Sequence, residues 1–278
     1  MLVSLIMPTL NRYDDIDLLI KSLIDQTYKD FELIVVDQNE NNKVKEIVDK
    51  YNDEIVIKYK KSDKKGLSYN RNIGLDMAKG QVIAFPDDDC EYEVDTLEKV
   101  INFFKNNNEY RIYSCKTLER GKDYGFGRML DEDAEINSLN VFDTVKSITF
   151  FVNYGQDKYV RFDENLGVGA AFGSGEESDY VLDLLSRGYK GKYFTNDVVY
   201  HPAKKSGKSK EKFARDYNYG RGFGALCKKQ ILQRKDYKFS VVMAKKLVRN
   251  VGGLLLGSDK DYHKATIKGR LEGFKQYK

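Results

Sequence analysis

Three consecutive carboxylates, Asp87, Asp88 and Asp89, follow the apolar run Val82-Ile83-Ala84-Phe85 and Pro86. Adjacent like charges repel, and a bound cation relieves that repulsion, so the triplet can serve as a metal site. The plainer alternative is a solvated acidic turn. A second acidic cluster, Glu176, Glu177 and Asp179, follows the glycine-rich stretch from Gly167 to Gly175. A carboxylate at the end of such a loop can act as a general base. It can equally be the acidic first turn of a helix, where the helix dipole favours it.

The elements around these residues explain how they would be held. Leu2 to Met7 reads as a buried strand that stops at the turn Pro8-Thr9-Leu10-Asn11-Arg12. Ile16, Leu19, Ile20, Leu23 and Ile24 then recur at helical spacing. Phe31 to Val36 reads as a second strand ending in Asp37, Lys43 to Tyr51 as a polar helix, and Ile55 to Tyr59 as a third strand. A helix opens at Gly66-Leu67-Ser68, and Gln81 to Phe85 is the fourth strand, delivering the carboxylate triplet. Val94 to Asn106 reads as a helix and Tyr110 to Cys115 as a strand. Strands that alternate with helices across short connections make a parallel sheet flanked by helices. Asn11, Asp37 and Asp87 to Asp89 then share the carboxyl edge of that sheet, where open α/β folds bind ligands.

Beyond Lys116 the pattern is irregular as far as Phe150, with strands expected at Thr149 to Asn153 and Tyr159 to Phe162. Tyr180 to Ser186 is an amphipathic helix, and Tyr193 to Tyr200 reads as the last strand, ending at His201-Pro202. Lys208 to Arg234 is helical in tone but interrupted by Gly220, Gly222 and Gly224. Phe239 to Leu256 is an amphipathic basic helix of the interfacial kind, and Asp261 to Tyr277 a further helix.

The net charge of +4 conceals an asymmetry. Residues 203–278 hold 21 Lys and Arg against 6 Asp and Glu, a net of +15, which leaves −11 on the rest of the chain. A basic extension of this kind implies an anionic partner, a membrane surface or a nucleic acid. The three cysteines, Cys90, Cys115 and Cys227, have no paired spacing, which argues against a disulfide framework and suits a reducing cytoplasm. The chain opens directly on a strand with no leader pattern, and its apolar runs fall short of the roughly 20 residues of a membrane-spanning helix.

Four segments in order carry a resemblance: Val3 to Arg12, Phe31 to Asp37, Gly66-Leu67-Ser68 followed by Arg71-Asn72-Ile73-Gly74, and Phe85-Pro86-Asp87-Asp88-Asp89. Together they resemble the family 2 glycosyltransferases with the GT-A fold, over about Leu2 to Pro202. The resemblance implies an α/β fold of GT-A type, a Rossmann-like mixed, mostly parallel sheet flanked by helices. It implies a transferase domain over 1–202, with 203–278 as a basic helical extension. It further implies an inverting transfer of one sugar from a nucleotide-sugar, UDP-linked, with Mn²⁺ or Mg²⁺ at the diphosphate. Pro8, Thr9 and Asn11 would line the nucleotide, Asp37 would contact its base, and Gly66, Arg71, Asp87 and Asp88 would complete the donor site. Asp89 is the foremost metal ligand, with Asp87 in the same shell. His201 matches a histidine that some members place after the last strand as a further ligand. The family base is the second acid of a Glu-Asp pair, which matches Glu177. Glu stands where Asp is usual, so Glu176 and Asp179 stay open as alternatives.

The chain has no Trp and thus lacks the Gln-x-x-Arg-Trp motif of processive synthases, which favours single-sugar transfer. A saccharide or lipid-linked oligosaccharide acceptor in cell-surface polysaccharide synthesis follows. So does a cytoplasmic enzyme held peripherally at the inner face of the membrane by its basic tail. A sugar nucleotidyltransferase should show a glycine-rich phosphate loop near the N-terminus, and Pro8 to Arg12 lacks one. A nucleic-acid-binding protein could use Phe213, Tyr217, Tyr219 and Phe223 among the basic residues, but would leave the acidic clusters without a role. Nucleic acid is therefore not expected as a partner.

Overall fold

The computed structural model describes residues 1–125, 127–202, 209–257 and 259–278. In chain order it contains β1 (Val3–Thr9), α1 (Ile16–Ile24), β2 (Phe31–Asp37), α2 (Lys43–Val48), β3 (Ile57–Lys61), α3 (Leu67–Met77), β4 (Val82–Ala84) and β5 (Glu91–Tyr92). There follow α4 (Thr96–Asn106), β6 (Tyr110–Leu118), β7 (Ala134–Ile136), α5 (Val141–Thr144), β8 (Phe150–Asn153), α6 (Glu176–Ser186) and β9 (Lys190–Tyr200). The C-terminal helices are α7 (Ser209–Lys228), α8 (Phe239–Leu256) and α9 (Lys260–Gln276).

Two compact units are present. The first comprises the described residues of Met1–Lys65, Tyr69–Arg161 and Arg187–Lys204, the second those of Gly66–Ser68, Phe162–Ser186 and Lys205–Lys278. The expected boundary between 202 and 203 falls on Ala203, outside the described residues.

In the first unit a mixed sheet runs β3-β2-β1-β4-β8-β6-β9-β5, with β7 on β9. The block β3-β2-β1-β4 is parallel. β8 then pairs antiparallel with β4 and β6, while β6 and β9 run parallel. Strands covered on both faces must be apolar along their length, and β1, β2 and β4 are buried at every position. Leu5, Met7, Leu33, Val35 and Val82 form one core with Leu19, Leu23, Val100 and Phe104 of the helices. Each such side chain contributes about 1.5–3 kcal/mol relative to exposure.

Register brings the site residues to one edge. Thr9 lies opposite Asp37, and pairing of β1 with β4 stops at Leu5–Ala84. The chain segments after β1, β2 and β4 thus emerge together where β1 and β4 no longer pair.

Several local expectations differ from the structure. β3 begins at Ile57 rather than Ile55, because the Ile55 N–H closes a turn onto the Tyr51 carbonyl. Tyr159 to Phe162 is not a strand. Its aromatics pack instead of pairing: Tyr159 sits against Tyr154 at 5.2 Å, and in the second unit Phe162 stacks on Tyr180 at 4.2 Å. The stretch from Lys116 to Phe150 is more ordered than its composition implies, holding the end of β6, β7 and α5. Finally, α7 runs unbroken through Gly220, Gly222 and Gly224.

The glycines of α7 have a packing reason. A Cβ on Gly224 would stand 2.1 Å from the Arg270 carbonyl oxygen, and one on Gly273 would stand 2.0 Å from that of Arg221. The backbones of α7 and α9 therefore touch where glycine alone leaves room. This close approach offsets the roughly 1 kcal/mol that each mid-helix glycine costs.

Asp163 ties the second unit together. It accepts from Lys229 Nζ at 2.6 Å and from the Tyr277 hydroxyl. Burial pulls its carboxyl upward, but Lys229 and Tyr277 outweigh burial and hold it down at about 2. An unfolded Asp titrates near 3.9. The stabilisation is therefore fully present above pH ~4 and is lost as pH falls through ~2. Asp163→Asn is expected to cost about 1.5–3 kcal/mol at pH 7. In urea titrations the gap to the wild type should narrow between pH ~5 and ~2, and a gap constant across that range would refute the assignment.

Candidate active site

At the carboxyl edge of the first unit, the end of β1 reaches the triplet. The Thr9 hydroxyl donates to Asp88 Oδ2 at 2.7 Å. Pro8 precedes it as the β1 residue opposite Val36. Asn11 adopts a left-handed backbone, φ 57°, a conformation that asparagine tolerates better than most residues. The Asn11 N–H donates to Asn39 Oδ1 at 2.6 Å. Asn39 in turn donates to Asp37 Oδ1 through its backbone N–H at 2.8 Å and its amide at 2.7 Å. Asp37 Oδ2 receives the Tyr59 hydroxyl at 2.6 Å and Lys61 Nζ at 3.1 Å. Asn11 and Asp37, two expected nucleotide contacts, thus belong to one hydrogen-bonded network.

The three acids of the triplet have different surroundings. Asp87 is partly exposed, with Arg71 Nη2 and Ser147 Oγ each 3.5 Å from Oδ1. Arg71 is fully buried on α3, its guanidinium 5.8 Å from the centre of the Phe85 ring. Asp88 is buried, and that burial pushes its carboxyl up to about 6 against the opposing pull of Thr9 and Arg12. Asp89 is buried as well, but there hydrogen bonding to His201 and the charge of Arg12 overcome burial and lower it. A single turn of chain therefore presents one acid held back from ionising and a neighbour held ionised.

His201 joins the triplet through sheet register. β5 pairs antiparallel with β9, Glu91 opposite Tyr200, so the residue after β9 comes level with the residues before β5. His201 Nε2 lies 3.2 Å from Asp89 Oδ1 and 3.9 Å from Asp87 Oδ2. Its Nδ1 is 2.7 Å from the Pro202 carbonyl oxygen. An N–H at Nδ1 satisfies that oxygen and turns Nε2 toward the acids, the usual device for orienting a metal-ligating histidine. Asp87, Asp89 and His201 offer ligand atoms that all lie within 4.8 Å of one another. Two carboxylate oxygens and one imidazole nitrogen fit Mn²⁺ well, and Mg²⁺ through the oxygens. The donor set thus suits the cation that the sequence implies.

Two side chains of this cluster are not singled out by the sequence reading, Arg12 and Ser147. Arg12 bonds Asp89 and lies 3.6 Å from Asp88 and 3.5 Å from Asp15. Its place directly after Asn11, at the end of β1, is the one signal that could have found it. Ser147 carries no comparable local signal.

The second acidic cluster lies in the second unit, on the first turn of α6. Gly175, with φ +93°, turns the chain into the helix. Glu176 is buried and Glu177 half-buried. Asp179 is buried between Lys229 at 2.8 Å and Arg234 at 2.6 Å. With both oxygens holding cations, Asp179 is an anchor for the helices rather than an accessible base. The glycine-rich loop before α6 is fastened to Gly66–Ser68. Leu67 N donates to the Val168 carbonyl at 3.0 Å, and the Ser68 hydroxyl to that of Leu166 at 2.5 Å. Gly66, with φ +136°, faces Gly169 so closely that a Cβ on Gly169 would lie 3.2 Å from its Cα.

Residues 4–152, more than half of the chain, match the model of glycosyl transferase family 2. A GalNAc(5)-diNAcBac-PP-undecaprenol beta-1,3-glucosyltransferase of Campylobacter jejuni is 32% identical over 155 residues, 54% of this chain and 50% of that protein. The chain spans about half the length of the curated relatives it matches. Among solved structures, residues 1–349 of TarS from S. aureus in complex with UDP-GlcNAc superpose with a TM-score of 0.70 at 19% identity, covering 99% of this chain and 82% of that one. The mannosyltransferase PcManGT from Pyrobaculum calidifontis in complex with GDP-Man and Mn²⁺ gives 0.60 at 16% identity, over 99% of this chain and 81% of that one. Both likenesses are of fold. The architecture is that of the GT-A transferases, and the chain belongs to the family 2 glycosyltransferases.

Proposed function

We propose that this enzyme transfers one sugar from a UDP-sugar to a hydroxyl of a cell-surface glycan precursor, with inversion and with dependence on a divalent cation. The observation that carries the proposal is the gathering of Asp87, Asp89 and His201 at the sheet edge beside the ends of β1 and β2. Asp89 and His201 would hold the cation, with Asp87 as the more exposed third ligand. When bound, the cation neutralises charge on the diphosphate leaving group. Thr9 fixes Asp88, and the Asn11–Asn39–Asp37 network holds the nucleotide side of the site rigid. Glu177 is assigned as the base. It is more accessible than Glu176 and is not committed to the ion pairs that hold Asp179.

The step balances simply. Glu177 takes the acceptor hydroxyl proton, the oxygen forms a bond to the anomeric carbon, and the bond from that carbon to the phosphate oxygen breaks. The electron pair leaves with the diphosphate, and attack from the opposite face inverts the centre. The lipid-linked acceptor is supported by the undecaprenol-linked substrate named for the Campylobacter relative. It would bring the enzyme to the inner membrane face, with residues 1–202 carrying the chemistry and 203–278 the attachment.

The test is a thermal-shift panel of UDP-Glc, UDP-GlcNAc and GDP-Man with Mn²⁺ or EDTA, followed by NMR assignment of the product anomer. A UDP-sugar present at a hundred times its Kd should stabilise the protein by about 2.7 kcal/mol, and only with the metal. A metal-independent shift or a retained anomer would overturn the proposal.

A further inference from the structure

We propose that the exposed face of α8 is a membrane-docking surface that lies in the headgroup layer of an anionic phospholipid bilayer. The proposal rests on the reading above that the acceptor is lipid-linked, and it names the surface that would meet the lipid.

The sequence of α8 carries Lys245, Lys246 and Arg249 and no acidic residue. One side of the helix is buried through Phe239, Val242 and Asn250. On that side Arg270 of α9 donates to the Lys246 carbonyl at 2.6 Å, and Gly253 packs against the His263 ring. The opposite side bears Val241, Ala244, Val248, Val251 and Leu255, all exposed. Their spacing alternates three and four residues, so they form one straight stripe along a helix about 27 Å long. Val248 is 72% exposed, Leu255 70% and the adjoining Leu256 92%. Isolated exposed apolar residues are ordinary, but a continuous row of them is not.

Charge decides the occupant. Lys245 and Arg249 project on one flank of the stripe, and Lys238, exposed at the start of the helix, continues that flank. An apolar stripe edged by cations matches the interface of an anionic bilayer, where the stripe enters the acyl boundary and the bases meet phosphates. A second copy of this helix would bring like charges together along the seam without an acid to pair them. Among the described residues, no helix is long and apolar enough to cross a membrane. The fitting geometry is therefore a helix lying parallel to the surface.

The experiment is co-sedimentation of the full chain with vesicles of equimolar phosphatidylglycerol and phosphatidylcholine, free of any glycan acceptor. Wild-type protein should pellet with these vesicles and only weakly with pure phosphatidylcholine. Val248→Asp with Leu255→Asp should weaken binding at least tenfold. Lys245→Glu with Arg249→Glu should weaken it about fivefold for each cation removed and flatten its salt dependence. These side chains are exposed, so melting temperature and UDP-sugar binding should stay at wild-type values in both double variants, which separates this proposal from the catalytic one. Unchanged pelleting of the Asp variant would overturn it. So would a wild-type dimer, seen by light scattering, that the Asp variant dissociates.

Discussion

Asp89→Ala should lower kcat/KM for sugar transfer by about a thousandfold or more, whatever the divalent cation concentration. The three acids of the triplet are not equivalent as ligands. Asp88 is bonded by the Thr9 hydroxyl, whereas Asp89 shares with Asp87 and His201 a set of ligand atoms within 4.8 Å of one another. Asp89 is therefore the buried acid best suited to hold a cation. A cation at a departing diphosphate supplies several kcal/mol of charge stabilisation, and each ~1.4 kcal/mol is a factor of ten. Removing the acid proposed as its principal ligand should forfeit most of that. The melting temperature should move far less, because the substitution also removes one of three crowded carboxylates. Calorimetric titration of Mn²⁺ should show the binding loss directly, without turnover. A variant that keeps its kcat/KM within tenfold of wild type would remove Asp89 from the proposed ligand set.

Glu177→Gln should lower kcat by about 10²–10⁴, the usual contribution of a general base, while donor affinity changes less than about twofold. Glutamine keeps the shape and the helix position but cannot accept the proton. The two neighbouring acids provide the controls. Asp179→Asn breaks the pairing with Lys229 and Arg234 in a buried setting, where losing one partner typically costs about 3–5 kcal/mol. Its effect should thus appear first as a lower melting temperature. Glu176→Gln should be intermediate, since Glu176 is buried at the start of α6. Full activity in Glu177→Gln, with loss in Glu176→Gln, would move the base by one residue.

The two acidic clusters show what kind of information each level holds. Val82-Ile83-Ala84 followed by three acids is a local signal, because a strand buried on both faces must be apolar and its end is then marked by the first charges. The same logic found β1 and β2, ending the first two residues short of Thr9, while the amphipathic period over Tyr180 to Ser186 found α6 without its first turn at Glu176. The amphipathic α8 was legible too, through its period. Ile55 and Tyr159 misled for a related reason: β-branched and aromatic residues favour strands and also pack well in turns and loops, and periodicity alone does not separate the two.

What the amino-acid order determined without help is thus most of the strands and helices, the edge of the sheet shared by Asn11, Asp37 and Asp87 to Asp89, and the family. Tertiary structure decided everything that depends on pairing between distant segments. His201 reaches Asp89 because β5 and β9 pair with Glu91 opposite Tyr200; a slip of one residue would turn the histidine to the other face. Arg12 closes over Asp88 and Asp89 from the end of a different strand. Asp179 is committed to Lys229 and Arg234, which only the packing of α6 against the C-terminal helices could reveal. Periodicity marked α8 as amphipathic, but its burial showed which face is covered by α9 and which is left exposed. Local sequence sets dihedrals and hydrophobic faces over a few residues; the register of strands and the seating of helices are collective outcomes of packing the whole core.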